Sequence, residues 1–223
     1  MNVYRSDVLT VVNDTTALLI IDMQRDFLDP EGYIARTGVD VRGLRAIIPN
    51  VRRLLDAARA KGVRVIHTRE GHRPDLSDLP AVKARRAAGA GAAIGSMGPL
   101  GRLLVRGEPG HAIIPELEPL ATESVIDKPG FGAFHATDLE HLLRVAGVRT
   151  LVISGVTTDI CVHSTLREAV DRGFECLTAG DACAAGDPGI HGAMLACIDG
   201  EGGILGRVAS TDAIVTAWSA VGT

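Results

Sequence analysis

The sequence has little that would place it in a membrane or on a nucleic acid. Its longest clean apolar run, Ala17–Ile21, has five residues, whereas a membrane-spanning helix needs about 20. Lys and Arg number 23 against 27 Asp and Glu, the formal net charge is −4, and no long basic run is present. We therefore expect no nucleic-acid partner and no membrane partner. The N-terminal residues lack the charged start, apolar stretch and cleavage site of a secretion signal, which favours a cytoplasmic location.

Cysteine pairs and nucleotide-binding glycines are also missing. The four cysteines form no Cys-x-x-Cys pair, and in a reducing compartment they are expected to be free thiols. No Gly-x-Gly-x-x-Gly follows the first apolar run, where Asp22-Met23-Gln24 stands instead, which argues against a nucleotide-binding protein. The 223 residues, 46% apolar and 22% charged, fit one soluble globular domain that spans 1–223.

Short apolar runs alternate with stretches of helical period. The predicted strands are Ala17–Asp22, Val63–Thr68, Ser124–Asp127, Thr150–Gly155, Glu175–Ala179 and Arg207–Ser210. The predicted helices are Ile48–Lys61, Thr137–Ala146, Asp159–Arg172, Pro188–Asp199 and Thr211–Ser219. Strands that are nearly continuous in Val, Ile and Leu are typical of parallel sheets buried on both faces. The order predicts an α/β protein with a single-domain, three-layer αβα (Rossmann-like) fold and a mainly parallel six-stranded sheet.

The segment from Arg69 to Pro115 is the irregular part of the sequence. It is rich in Gly, Pro, Ala and Arg and contains no predicted strand or helix. Long segments of this kind in compact domains usually serve as lids or as contacts between subunits. We expect one of these two roles here.

Three chemically reactive side chains follow predicted strands. In an open parallel sheet, ligands bind beyond the carboxyl ends of the strands, and Asp22, Lys128 and Cys161 all fall there. Cys161 stands in the first turn of a predicted helix, where the helix end can lower the pKa of a thiol. Lys128 is one of only three lysines beside twenty arginines. Together they suit a thiolate nucleophile, a carboxylate that moves its proton and a cation that orders both. Taken singly, each also fits a purely structural role.

Three motifs resemble those of the isochorismatase-like cysteine hydrolases. They are Leu18-Leu19-Ile20-Ile21-Asp22-Met23-Gln24 with Asp26-Phe27, then Asp127-Lys128-Pro129, then Gly155-Val156-Thr157-Thr158-Asp159-Ile160-Cys161-Val162. The resemblance implies a catalytic triad of Asp22, Lys128 and Cys161. It also implies a cis peptide bond between Val156 and Thr157, and an oxyanion hole formed by the backbone N–H groups of Thr157 and Cys161.

Two further segments are most similar to the biuret hydrolase branch of this family. They are His67–Leu76 and Arg106–Gly110. The resemblance implies cleavage of a terminal carboxamide in a small urea-like compound, with biuret as the leading substrate. Ureidoacrylate, triuret and N-carbamoyl amino acids are the alternatives, and a catalytically silent binding protein of the same fold stays open. True isochorismatases lack the nucleophilic cysteine, so Cys161 argues against their reaction.

The resemblance also implies what surrounds the triad. The residues expected to contact the substrate are Phe27, Gln24, Arg69, Val156 and Glu201; Glu201 stands where biuret hydrolases have glutamine. Phe131 and Phe134 are candidates for the pocket wall or the core. Unlike nicotinamidases, the chain has no Asp-x-His motif after the second predicted strand, so we predict no metal and no other cofactor. Members of the family tend to form homo-oligomers, which predicts a homodimer or homotetramer.

Overall fold

The computed structural model describes residues 12–220. The predicted domain limits at residues 1 and 223 lie outside the described residues, and so do residues 1–11 of the N-terminal segment. The strands are β1 Thr16–Ile21, β2 Arg64–Glu70, β3 Met97–Gly98, β4 Gly101–Arg102, β5 Ser124–Lys128, β6 Thr150–Val156, β7 Glu175–Ala184 and β8 Arg207–Ala209. The helices are α1 Arg25–Leu28, α2 Tyr33–Arg36, α3 Val41–Arg45, α4 Ile48–Ala60, α5 Ala81–Gly89, α6 Leu139–Val145, α7 His163–Asp171, α8 Pro188–Asp199 and α9 Thr211–Ala220.

Six of the strands form one parallel sheet. Their order is β5-β2-β1-β6-β7-β8, and each neighbouring pair is parallel. The strands β3 and β4 form a separate antiparallel hairpin. Because the six strands are parallel, all of their carboxyl ends meet at one edge of the sheet. The predicted α/β architecture is confirmed.

Alternate residues of β1 pack into two separate cores. Leu18 and Ile20 belong to the core that includes α4 and α9, whereas Leu19 and Ile21 belong to the core that includes α6 and α7. Successive side chains of a strand point to opposite faces of the sheet, so a strand with helices on both faces needs apolar residues at every position. This accounts for the unbroken apolar run in β1.

The structure differs from the predicted elements at several points, among them the short helices α1 to α3, which were not predicted. The strand β7 continues to Ala184, five residues beyond its predicted end. The helix predicted over Asp159–Arg172 is a π-helical turn, Thr158–Val162, followed by α7. The segment predicted to be irregular contains α5 and the β3-β4 hairpin. Within residues 12–220, no helix combines the length and apolar character needed to cross a membrane.

Candidate active site

Three neighbouring strands bring charged side chains together at their carboxyl ends. Asp22 follows β1, Glu70 ends β2 and Lys128 ends β5. Lys128 Nζ lies 2.8 Å from Asp22 Oδ2 and 3.5 Å from Glu70 Oε2. The hydroxyl of Thr68 donates a hydrogen bond to Asp22 Oδ1 at 2.6 Å. Asp22 and Lys128 are both 0% exposed, so water does not screen this ion pair.

The backbone conformation turns the chain sharply at the ends of β1 and β6. Asp22 has a φ of +50°, in the left-handed region that Asp tolerates better than most residues. Gly155 has a φ of +116°, and a Cβ atom at this position would lie 2.1 Å from the carbonyl oxygen of Ile21. Glycine is therefore needed for β6 to approach β1 this closely. The peptide bond between Val156 and Thr157 is cis, as the family resemblance implied.

Cys161 lies in the π-helical turn that follows β6, and its side chain is buried. Its Sγ donates a hydrogen bond to Glu70 Oε2 at 3.2 Å. A carboxylate oxygen of Asp22, a carboxylate oxygen of Glu70 and the Sγ atom of Cys161 all lie within 4.8 Å of one another. The structure therefore brings the three residues of the predicted triad together and adds Glu70 as a fourth member.

The two carboxyl groups beside Cys161 have pKa values that move in opposite directions. Burial raises the pKa of Asp22, and the charge of Glu70 raises it further against the effect of Lys128. Burial also opposes ionisation of Glu70, but Lys128 and Lys83 hold the pKa of that carboxyl below its usual range. Such a divergence separates the roles of two acids. Asp22 is the better proton acceptor, and Glu70 stays ionised.

The resting state of Cys161 differs from the one expected from its position near a helix start. Burial raises the pKa of this thiol well above its ordinary value, and the charges of Asp22 and Glu70 raise it further against the effect of Lys128. The expectation of a lowered pKa is therefore wrong. Burial alone would lower the pKa of Lys128, but the charges of Asp22, Cys161 and Glu70 hold it above its ordinary value. The cysteine rests as a thiol beside a permanent cation, and a base must remove its proton.

A cavity of about 540 Å³ opens in front of Cys161. Its polar lining includes Glu70, Lys83 and Thr157, and most of the remaining wall is apolar, with contributions from Phe27 and Phe131. Asp22 and Lys128 lie behind this wall with no exposed surface. A substrate in the cavity therefore meets the sulfur and the carboxylate of Glu70 directly.

The helix α5 forms one wall of the cavity. Lys83, Arg86 and Ala87 line it, and their spacing of three and four residues places them on one helical face; Ala90, which follows the helix, lines it as well. The segment from Arg69 to Pro115 thus contributes to the wall of the cavity, and its role as a lid or an oligomer contact stays a prediction.

Two of the predicted substrate contacts lie at or beside the cavity. Phe27 lines it, and Val156 is buried and immediately precedes Thr157, which also lines it. Phe131 is on the cavity wall, whereas Phe134 is buried in the core beside Phe174, with ring centroids 5.9 Å apart. The proposed backbone donors of Thr157 and Cys161 belong to residues of the wall, and their role as an oxyanion hole stays a prediction.

The structure does not bring Gln24, Arg69 and Glu201 to the cavity. The Gln24 side chain is buried and occupied by backbone groups, to which it makes three hydrogen bonds of 2.6, 3.0 and 3.1 Å. Arg69 pairs with Asp127 at 2.7 and 3.0 Å. Glu201 is exposed in the turn after α8. None of these three residues lines the cavity, and their contact with a substrate stays a prediction.

Sequence reasoning missed Glu70 and Lys83, although signals for both were present. Residues two apart in a strand share a face, so Glu70 lies on the side of Thr68, which contacts Asp22, while Arg69 points away. Lys83 is another of the three lysines in an arginine-rich chain. Its Nζ lies 2.6 Å from Glu70 Oε1 and donates to the carbonyl of Pro129 at 2.7 Å.

The same cluster has some of the features of a metal site. By distance, Asp22, Glu70 and Cys161 could supply three ligand atoms. The ammonium group of Lys128, however, already lies 2.8 and 3.5 Å from the two carboxylates. Together with that of Lys83, which lies 2.6 Å from Glu70, it balances their charge. Two nearby histidines contact carboxylates elsewhere: His67 Nε2 lies 3.1 Å from Glu123, and His72 Nδ1 lies 3.2 Å from Asp78. A metal-free site stays a prediction.

Comparisons with known proteins agree with the fold and with the motifs. Residues 16–210 match the family model of the Isochorismatase domain. The chain is 31% identical over 207 residues to the ureidoacrylate amidohydrolase RutB of Methylorubrum extorquens, a match that covers 91% of this chain and 84% of the relative. A cysteine hydrolase from Pseudomonas syringae pv. phaseolicola 1448A superimposes with a TM-score of 0.81 and 26% identity over 96% of each chain. An isochorismatase family protein from Desulfovibrio vulgaris subsp. vulgaris str. Hildenborough has a TM-score of 0.77 and 32% identity over 92% of this chain and 98% of the other.

Proposed function

Since the chain belongs to the isochorismatase family, we propose that it is a cysteine amidohydrolase that releases ammonia from the terminal carbamoyl group of a small ureido compound. The observation that carries this proposal is the thiol of Cys161 at the wall of a cavity, with the Asp22–Lys128 ion pair directly behind it. A thiol, a base and a fixed cation are the parts that thioester chemistry needs. The name of the relative, a ureidoacrylate amidohydrolase, supports a carbon–nitrogen bond as the one cleaved.

The first half of the reaction transfers the acyl group to sulfur. Asp22 takes the proton of Cys161, and Lys128 stabilises the thiolate that forms. The thiolate attacks the carbamoyl carbon, and the backbone N–H groups of Thr157 and Cys161 receive the negative oxygen. The carbon–nitrogen bond then breaks while Asp22 returns the proton to nitrogen, which leaves as ammonia.

The second half regenerates the enzyme. A water molecule gives a proton to Asp22 and its oxygen attacks the thioester carbon. The carbon–sulfur bond breaks, the acid product departs and Cys161 regains its proton. Burial raises the pKa of Asp22, so this carboxyl holds a proton more readily than an ordinary aspartate and can both accept and return it. For biuret the products are allophanate and ammonia.

Two substrates share the group that this chemistry requires. Biuret is favoured by the motifs of the sequence. Ureidoacrylate is favoured by the named relative and by Arg86, an exposed cation on the cavity wall that could face a substrate carboxylate. The cavity, at about 540 Å³, is within the range that holds drug-sized ligands, so its size admits both.

Ammonia release tests the proposal. The panel is biuret, triuret, ureidoacrylate, N-carbamoylsarcosine, maleamate and nicotinamide. The Cys161→Ser variant should lose nearly all turnover, whereas Cys197→Ser, which removes an exposed thiol, should keep it. Preference for nicotinamide, activity that survives Cys161→Ser, or no ammonia from any ureido compound would each refute the proposal. The absence of ammonia from every ureido compound would favour a protein of this fold that binds a ligand without catalysing a reaction.

The assembly of the chain is a separate proposal. We propose a homodimer or homotetramer, because this is what the resemblance to the family implies. Size-exclusion chromatography with light scattering measures the mass directly, and a mass of 23.4 kDa, that of one chain, would refute it.

A further inference from the structure

Glu70 is the carboxylate that faces both the nucleophile and the cavity. One of its oxygens accepts the hydrogen bond from Cys161 Sγ at 3.2 Å, and the other lies 2.6 Å from Lys83 Nζ. Glu70 and Lys83 line the cavity, whereas Asp22 lies behind its wall. The mechanism above uses Asp22 and leaves Glu70 without a role.

The position of Glu70 is held from both its backbone and its side chain. Its N–H donates to Gln24 Oε1 at 2.6 Å, and Gln24 Nε2 donates to its carbonyl at 3.0 Å. Its carboxylate lies between two ammonium groups, those of Lys83 and Lys128. Lys83 is fixed in turn by the carbonyl of Pro129. A carboxylate held in this way meets a ligand without first having to be ordered.

The charges of the cluster balance before any substrate binds. The carboxylates of Asp22 and Glu70 are matched by the ammonium groups of Lys83 and Lys128. Glu70 therefore stays ionised, in agreement with the direction of its pKa. An ionised carboxylate only accepts hydrogen bonds, so its partner in the cavity must supply N–H or O–H groups and needs no positive charge.

A ureido compound supplies such donors on both sides of its carbonyl carbon, whereas a simple carboxamide supplies them on one side only. A carbon poised for attack lies about 3–3.5 Å from the nucleophile, and Glu70 Oε2 is 3.2 Å from Cys161 Sγ. A nitrogen bonded to that carbon is then within reach of Glu70. On the basis of the proposed function, we propose that Glu70 is a specificity-determining residue that accepts an N–H of the urea nitrogen and so selects ureido compounds over carboxamides.

The test compares each ureido substrate with the analogue in which CH₂ replaces its internal N–H. The pairs are biuret with malonamide, and N-carbamoyl-β-alanine with glutaramate. The quantity measured is kcat/KM for the ureido compound divided by kcat/KM for its CH₂ analogue. This ratio is determined in the wild type and in Glu70→Gln. Because both proteins see the same two compounds, intrinsic reactivity cancels. Glu70→Gln should lower the ratio by about tenfold, since hydrogen bonds to charged groups are stronger than those to neutral ones.

Each other outcome has a distinct meaning. An equal loss on both members of a pair, with an unchanged ratio, would show that Glu70 acts only on the thiol and would overturn the inference. Wild-type turnover of malonamide or glutaramate without turnover of any ureido compound would overturn the proposed function itself, and this inference with it. If Glu70→Gln does not fold, as judged by circular dichroism, Glu70→Asp replaces it and should lower the ratio in the same direction. Glu140→Gln, which alters a surface glutamate paired with Arg172 at 3.0 Å, should leave the ratio unchanged.

Discussion

Replacing Asp26 by Asn removes a buried carboxylate from α1, the helix that carries Phe27 to the cavity. Burial raises the pKa of Asp26 from 3.8 to about 6, against the opposing effect of the hydrogen bond from the N–H of Leu104. That bond measures 3.0 Å to Oδ2, and the amide oxygen of Asn can accept it as well. The substitution therefore changes charge with little change in shape.

The magnitude follows from the two pKa values. Between them the folded state binds more protons than the unfolded state, so stability falls as pH rises through this range. The full difference from 3.8 to about 6 corresponds to about 3 kcal/mol at 1.36 kcal/mol per unit. By the same linkage, the wild type should lose about 1.4 kcal/mol through Asp26 between pH 5 and pH 7.5.

Urea denaturation at pH 5 and at pH 7.5 measures the effect. The free energy of unfolding of Asp26→Asn minus that of the wild type should be larger, that is, more stabilising, at pH 7.5 than at pH 5 by about 1.4 kcal/mol. Other titrating groups contribute equally to both proteins and cancel in the comparison. A difference between the two proteins that does not change with pH would refute the assignment of a raised pKa to Asp26. Activity on the best substrate, measured at the same pH values, serves as a control for an intact cavity.

Three further substitutions address the site itself. Lys128→Met leaves Asp22 buried without its cation and should destabilise the protein by about 3–5 kcal/mol in urea denaturation. The control Lys61→Met, which changes an exposed lysine, should leave stability unchanged. Equal effects of the two substitutions would contradict the buried ion pair. Thr68→Val removes a hydrogen bond that lowers the pKa of Asp22 and should move the acidic limb of the kcat/KM profile upward by about one pH unit; an unmoved limb would exclude Asp22 as the base. Arg86→Met should lower kcat/KM for ureidoacrylate by about two- to fivefold, as expected of an exposed ion pair, and leave biuret unaffected; equal effects on both would exclude a contact with the carboxylate.

Much of the fold could be predicted because its signals are local. The apolar run of β1 and the amphipathic pattern of α4 appear in the sequence at the positions where the structure has them. The end of β7 could not be predicted in this way. The register between β6 and β7 shifts between Ile153 and Gly155, and this shift pairs Cys183 and Ala184 with the end of β6. That pairing joins residues that are far apart in the chain, which no local pattern reports.

The helix α5 shows how neighbouring residues can hide a local signal. The residues of α5 are rich in Ala, Arg and Lys, which are strong helix formers. The glycines and prolines on either side led us to expect an irregular segment over the whole region. The absence of α5 from the predicted elements affected the predicted site more than the predicted fold, because Lys83 and Arg86 both line the cavity from this helix.

That Asp22, Lys128 and Cys161 lie together could be predicted from motifs, but their protonation states could not. Position near a helix start favoured a thiolate at Cys161, yet burial and the two adjacent carboxylates favour the thiol. Both carboxylates stand at the carboxyl ends of parallel strands, and only the three-dimensional arrangement distinguishes them. Asp22 faces one ammonium group behind the cavity wall, while Glu70 lies between two. In the proposed reaction Asp22 moves the proton and Glu70 accepts hydrogen bonds, and Lys83 of α5 lies beside Glu70. Lys83→Met should therefore weaken the preference for ureido compounds through Glu70 while leaving the pH dependence set by Asp22 in place. The ratio of kcat/KM for biuret and malonamide, measured across pH in this variant, checks both halves of that expectation, and a shifted acidic limb with an unchanged ratio would contradict it.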